Sequence, residues 1–276
     1  FTEGFNNPMG QGFSNFGQAG MVSGSKEFLM SNTLIAKLGF LLLVIIVFFI
    51  LLRLIIQTIV WWNKDSKNPW IIACRRDGDL QKSISSNPKI KDSIPILRSE
   101  NERNGLEFTW SLWLYIKKPH TSKENSQDPT YYHIFHKGNV SGNGYLSAKT
   151  HNVAPGLYIE AKTTNDMPVN NLVAVINTFK GDDGGSEQNL EKSTVIKSIP
   201  FGKWLHIAMV VKQKNFDVYV NGQLASRRIL KSLPMQNYGG THISQRGYNT
   251  EQYGFNGEIS SLRYFNSALN PVEITS

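Results

Sequence analysis

The sequence predicts an all-β protein, a two-sheet antiparallel jelly-roll sandwich, preceded by one transmembrane α-helix. Three observations carry this reading. Fifteen consecutive residues, Leu38 to Leu52, contain no polar side chain. From Gly105 onward the hydrophobic pattern changes to period two, as in strands whose alternate side chains face opposite ways. Asn221-Gly222 stands between two such runs, and that pair favours the left-handed backbone of a two-residue hairpin turn. No amphipathic helix of useful length follows residue 105. Ten or so strands punctuated by turns then require two packed sheets.

Residues 1–32 are rich in Gly, Asn, Gln and Phe and lack apolar periodicity. They read as a disordered or extended arm. Its phenylalanines, Phe1, Phe5, Phe13 and Phe16, suit insertion into a neighbour's groove. Residues 33–62 read as the transmembrane helix, with Ser31 or Asn32 as alternative caps. From Leu38 to Val60 the run measures about 34 Å as a helix, enough to cross a hydrocarbon core. Lys37 precedes the apolar run, Leu43 and Ile46 lie within it, and Trp61-Trp62 close it. Arg53 is expected to snorkel to the headgroups while the helix continues to the tryptophans at the interface. The run is too long and too late for a typical signal peptide and reads as an uncleaved anchor.

Flanking charge sets the expected orientation. Lys26 and Lys37 precede the run, whereas Arg53, Lys64, Lys67, Arg75 and Arg76 follow it. Basic residues mark the cytoplasmic side, so the C-terminal body is expected there. The single cysteine, Cys74, agrees, because a secreted module usually carries an even set. Residues 63–104 read as a polar connector, with Pro69, Pro88 and Pro95 too frequent for regular structure. Its basic residues suit a solvated linker, or a segment drawn to anionic headgroups. Trp70, Ile71 and Ile72 are expected at the membrane interface or packed back on the body. The net charge of +8 is spread thinly, without a basic run, which argues against a nucleic-acid partner.

Residues 105–276 form the expected sandwich. Phe108, Trp110, Leu112, Leu114 and Ile116 share one face of the first strand; Glu107, Thr109, Ser111, Trp113 and Tyr115 share the other. Further strands are expected at 131–136, 144–149, 156–162, 171–179, 193–199, 204–212, 216–220, 224–230 and 257–266. Lys214-Asn215 makes a tight reversal. Trp110, Leu112, Trp204, Val218 and Ile259 are expected to be largely buried.

Two segments carry a family likeness. One is Gly202-Lys203-Trp204-Leu205-His206 leading to Val218-Tyr219-Val220-Asn221-Gly222; the other is Phe255-Asn256-Gly257-Glu258-Ile259 leading to Leu262-Arg263-Tyr264-Phe265. Together they resemble the concanavalin A-like lectin/glucanase superfamily, especially its laminin-G-like and pentraxin-like members. Trp204, His206, Tyr219, Asn221, Gly222 and Gly257 are the matching positions. The layout of arm, Lys26-to-Lys37 lead-in, anchor and sandwich resembles membrane-anchored minor capsid proteins of large icosahedral DNA viruses. That resemblance implies a virion component on an internal membrane, with capsid proteins and the lipid bilayer as partners.

The residues themselves argue against catalysis. Retaining glycosidases of this superfamily need two carboxylates about 5–5.5 Å apart. The segment 156–162 offers Glu160 alone, and Glu107 and Glu258 are equally solitary. Asp182 and Asp183 in a Gly-rich loop are weak calcium candidates, more simply read as a turn. His133 and His136, three apart, are expected on opposite faces of a strand, and with one cysteine a zinc site has no motif behind it; no cofactor is expected. Asn139-Val140-Ser141 is a glycosylation sequon, without meaning for a cytoplasmic body. Tyr131, Tyr132, Tyr238, Tyr248 and Tyr253 are candidates for stacking on a sugar or anchoring a protein interface. The expected function is a non-enzymatic, membrane-anchored structural protein, with a glycan-binding surface lectin as the alternative.

Overall fold

The computed structural model describes residues 34–99, 105–122, 129–139, 152–164, 167–179, 189–247, 250 and 252–275. The arm, the expected strand at 144–149, the Asp182-Asp183 loop, His151 and Tyr248 lie outside the described residues. The chain divides into two units, Phe1–Trp62 and Asn63–Ser276.

Helix α1 spans Leu34–Lys67, so it ends five residues beyond Trp62. Its segment Lys37–Ile59, 23 residues with mean hydropathy 3.2, is long and apolar enough to cross a membrane, and none of it is buried within the protein. Leu43 and Ile46 are exposed, as is Arg53. Thr58 donates its hydroxyl hydrogen back to the helix, with Leu54 O at 2.9 Å and Ile55 O at 2.8 Å. The helix thus satisfies that polar group internally, as a hydrocarbon environment requires.

The second unit is a two-sheet antiparallel sandwich. Its strands are β1 (Trp70–Ile72), β2 (Arg76–Asp77), β3 (Lys82–Ile84), β4 (Glu107–Ile116), β5 (Thr130–Gly138), β6 (Val153–Thr164) and β7 (Met167–Thr178). Then follow β8 (Asn189–Ile196), β9 (Trp204–Lys212), β10 (Asn215–Val220), β11 (Gln223–Ile229), β12 (Gly240–Ile243) and β13 (Gly257–Phe265), with a short helix α2 (Pro271–Thr275). One sheet has the order β1-β13-β4-β9-β10-β11, with β2 also on β13; the other has the order β3-β12-β5-β6-β7-β8.

Alternation built the core. Phe108, Trp110, Leu112, Leu114 and Ile116 of β4 are each at most 1% exposed. They meet Phe135, Leu157, Ile159, Leu172 and Ile176 from the opposite sheet. Val218 and Ile259 are fully buried as expected. Trp204 is not: it is 36% exposed. Leu205, Ile207, Met209 and Val211 own the core face of β9, and period two therefore turns Trp204 and His206 outward.

The stretch expected as an irregular connector instead carries β1, β2 and β3. β1 and β2 pair with β13, and β3 pairs with β12. Ile71, Ile72 and Ile84 enter the core, with Ile94 and Ile96 packed against it. Strands of two or three residues at a sheet edge leave no periodic run to read, and Pro69 stands where its missing N–H costs no ladder bond. Asn68 and Pro69 alone separate the end of α1 from β1. Among the described residues, every core residue of the sandwich comes from residues 71–274, so this unit carries its own core.

The Asn221-Gly222 turn joins β10 to β11 with φ of 49° and 78°, the left-handed pair that the sequence predicts. The preceding reversal uses Gln213-Lys214 between β9 and β10, one residue earlier than expected. β12 was not expected.

Candidate functional site

The outer face of the first sheet carries a trough of about 760 Å³. Register explains which side chains line it. Trp70 of β1 pairs with Arg263 of β13, Arg263 with Ser111 of β4, and Ser111 with Ala208 of β9. That row crosses four strands. The next rows along β4 and β9 pair Trp113 with His206 and Tyr115 with Trp204.

A β-bulge on β13 completes the set. Register shifts between Ser260 and Arg263, and Ser261 takes φ of 52°. Ile259 is buried, and without the extra residue Ser261, Arg263 and Phe265 would follow it inward. The bulge reverses the parity, so Leu262 and Tyr264 are buried while Arg263 and Phe265 line the trough.

The trough's aromatic wall is uncovered. Trp70, Trp113 and Trp204 are 44%, 43% and 36% exposed. The Trp113 ring lies 5.1 Å from that of His206, and Trp204 lies 5.3 Å from Tyr115. Arg263 stacks between Trp70 at 4.5 Å and Phe265 at 4.8 Å, holding two rings apart by cation–π contact. Arg75, bonded to Glu258, reaches 5.9 Å from the Trp204 ring.

The opposite wall is the C-terminal strap. Thr109 Oγ1 donates to Ser267 O at 2.9 Å and accepts from Leu269 N at 3.0 Å, pinning the strap to β4. Asn270 and Glu273 cap α2 reciprocally: Asn270 Oδ1 accepts from Glu273 N and Glu273 Oε2 accepts from Asn270 N. Ile274 then packs on Ala208, Val210 and Tyr219. Gly222 lies so close that a Cβ there would meet Thr275 Cγ2 at 2.3 Å.

Polar groups line the floor and ends. Ser111 Oγ and His206 Nε2 are 2.7 Å apart, and burial lowers the His206 pKa. Asn221 ties the turn to the floor, because its Oδ1 accepts from His206 N at 2.9 Å and its own N–H donates to His206 O at 2.8 Å. Glu273 is the one carboxylate among the described lining residues. Exposed aromatic faces beside hydroxyl, imidazole and amide groups suit a flat ligand with apolar faces and polar edges.

The signature residues divide between two tasks. Trp204, His206, Asn221 and Gly222 meet at the trough. Tyr219 is buried beneath the strap, and Gly257 is a packing residue whose Cβ would fall 2.1 Å from Tyr115 O. Trp70, Arg263 and Phe265 were missed as site residues. Trp113 could have been found, since alternation already set it opposite the core residues of β4.

The outer face of the second sheet is different. His133 and His136 share it, against expectation, because a bulge between His133 and Phe135 shifts the parity. Gln245 N donates to His133 Nδ1 at 2.9 Å; His133 Nε2–H then donates to His136 Nδ1 at 2.7 Å, and His136 Nε2–H to Asn139 O at 3.1 Å. Burial, then the nearby His136 and His242, push the His133 pKa well below its usual value. No group of three or more His, Cys, Asp or Glu suited to a metal occurs among the described residues. On β6, burial would raise the Glu160 pKa, but bonds from Lys192, Tyr131 and Asn171 lower it to about 2. That carboxylate stays ionised and is unsuited to the acid role in glycoside hydrolysis. Tyr131 and Tyr132 are buried, whereas Tyr238 and Tyr253 are exposed.

Residues 91–275 match the family model of the concanavalin A-like lectin/glucanases superfamily. No curated protein matches the chain. Among solved structures, it is similar to a candidate carbohydrate-binding protein from Bacteroides ovatus ATCC 8483 at 13% identity and TM-score 0.43, over 74% of this chain and 47% of that one. The binding domain of Paraclostridial Mosquitocidal Protein 1 is similar at 18% identity and TM-score 0.42, over 74% and 45%. A heptameric SAP-like pentraxin from Limulus polyphemus is similar at 16% identity and TM-score 0.34, over 61% and 68%. The chain thus spans about half the length of the first two.

Proposed function

Because the chain belongs to the concanavalin A-like lectin/glucanases superfamily, we propose that it is a membrane-anchored, non-enzymatic recognition protein whose tryptophan trough takes a carbohydrate chain. One observation carries this: three uncovered tryptophans stand around a trough floored by Ser111 and His206. Indole faces stack on the C–H faces of sugars, and the floor supplies hydrogen bonds for hydroxyls. The row from Trp70 to Ala208 spans three strand spacings, about 14 Å, room for two or three sugar units. Helix α1 supplies the anchor, with Lys37–Ile59 as the span and Arg53 and Trp61-Trp62 toward the C-terminal side.

A second reading is favoured by the basic residues after the helix and by the exposed free thiol of Cys74. Both suit a cytoplasmic face, where the sandwich would grip other proteins, such as the shell of a virion around an internal membrane.

One experiment separates the two. Residues 68–276 on a glycan array are expected to bind a carbohydrate in chelator as well as in calcium, and to lose the signal in Trp113→Ala. Absence of any signal, together with protease protection of the sandwich in sealed cells, would replace the carbohydrate reading with the structural one.

A further inference from the structure

A second surface, independent of the trough, lies around residues 85–99 and 236–239. Asn87 Oδ1 accepts from Lys89 N, Asn87 O accepts from Ile90 N, and Ile94 N returns to Ser85 O at 2.9 Å. This closed loop presents Lys89-Ile90-Lys91 at its tip, with Ile90 51% exposed. Ser86 Oγ donates to Gly239 O at 3.1 Å, and Ser99 N donates to Gln236 Oε1 at 3.1 Å. These bonds bring the loop and Arg98 beside Tyr238, the most exposed aromatic among the described residues at 78%. The Arg98 guanidinium carbon lies 5.7 Å from the Tyr238 ring, and Leu97 is exposed beside it. Segment 85–99 holds three cations, Lys89, Lys91 and Arg98, against one acid, Asp92.

We infer that this surface is a docking site for an anionic lipid bilayer. Its composition is that of an interfacial anchor: a tyrosine with its polar tip, an aliphatic tip residue, and long cationic side chains that reach phosphate while their stems stay apolar. A protein partner fits less well. The cavity beneath, between Arg98 and Tyr238, has only about 10 Å³ and admits no anchoring side chain of the kind that dominates protein interfaces. The same chain carries a helix able to cross a bilayer and ending at Lys67, about twenty residues before the loop. A lipid surface is therefore the partner this chain itself brings. Lipid contact there would add to the helix by tethering, so a weak affinity suffices.

The fragment 68–276, which holds every core residue among the described ones, tests this without the helix. It is expected to sediment with phosphatidylcholine vesicles containing phosphatidylserine, not with phosphatidylcholine alone, and to be released by high salt. Lys89→Glu with Lys91→Glu is expected to lower the partition coefficient roughly tenfold or more, at about 1 kcal/mol per basic residue. Ile90→Ser with Tyr238→Ser is expected to lower it as well. The matched surface pair Lys197→Glu with Lys214→Glu, which removes equal charge elsewhere, is expected to leave it within about threefold. Failure to bind anionic vesicles would overturn the proposal, as would binding that survives the Lys89 and Lys91 reversals. An equal loss in the Lys197 and Lys214 control would also overturn it, by reducing the effect to net charge.

Discussion

The outer faces of the two sheets solve the same problem in opposite ways. Each is the side of a sheet turned away from the shared core. On the second sheet, His133 and His136 are buried and bonded to each other, and buried Tyr131 and Glu160 are bonded to each other and to the half-buried Lys192. On the first, Trp70, Trp113 and Trp204 stand uncovered around an open trough. A polar network that saturates itself offers nothing to a ligand and makes the fold depend on its completeness. An aromatic wall left exposed sacrifices burial that a core would use, and a ligand can recover it. On these two faces, a self-bonded polar network therefore marks structure, and uncovered tryptophans mark the proposed site.

Three measurements break or sharpen that contrast. The largest effect of a single substitution is expected in the core between the two faces. Trp110→Ala removes a ring that touches Phe135 and Tyr264, and it should cost about 3–5 kcal/mol in urea unfolding of residues 68–276. A loss under about 1 kcal/mol would mean that the core closes over the gap.

Next comes acid. Burial lowers the His120 pKa to about 4 and that of His133 well below its usual value. Both fold neutral, whereas the unfolded chain takes up protons below about pH 6.5. The unfolded state then binds more protons, so stability is complete above pH 6.5 and falls as pH drops toward 4. Each such histidine adds up to about 1.4 kcal/mol per pH unit in that window. A melting temperature unchanged between pH 7 and pH 4.5 would show that these imidazoles are solvated.

The smallest stability effect should be at the trough. Trp204→Ala is expected to cost less than about 1 kcal/mol, because the ring is over a third exposed, while abolishing ligand binding. Loss of several kcal/mol with intact binding would make Trp204 a core residue after all.

How far the sequence carried these distinctions depended on regularity. β4 was legible residue by residue, because ten residues keep strict alternation, and Asn221-Gly222 announced its own turn. Trp204 departs from its expected burial because Leu205 and Ile207 take the core face of β9, so strand parity, not the family signature, sets where its ring points. The bulges of β5 and β13 were not legible. One extra residue inverts every later side chain on a strand, and no local pattern at Ser260-Ser261 or His133-Ile134 marks it. β1 to β3 were hidden for the converse reason, being too short to show a period.

Strand order also fixes when this protein can fold. Among the described strands, β1 and β2 pair with β13 alone and β3 with β12 alone, so the first strands made wait for the last. β13 also lies between β1 and β4, in the interior of its sheet. During synthesis the apolar helix leaves the ribosome nearly two hundred residues ahead of Phe265, while the sandwich still lacks a central strand. Closure is long-range and therefore slow, and a chain that stops short of Gly257 leaves β4 with a bare edge open to other chains.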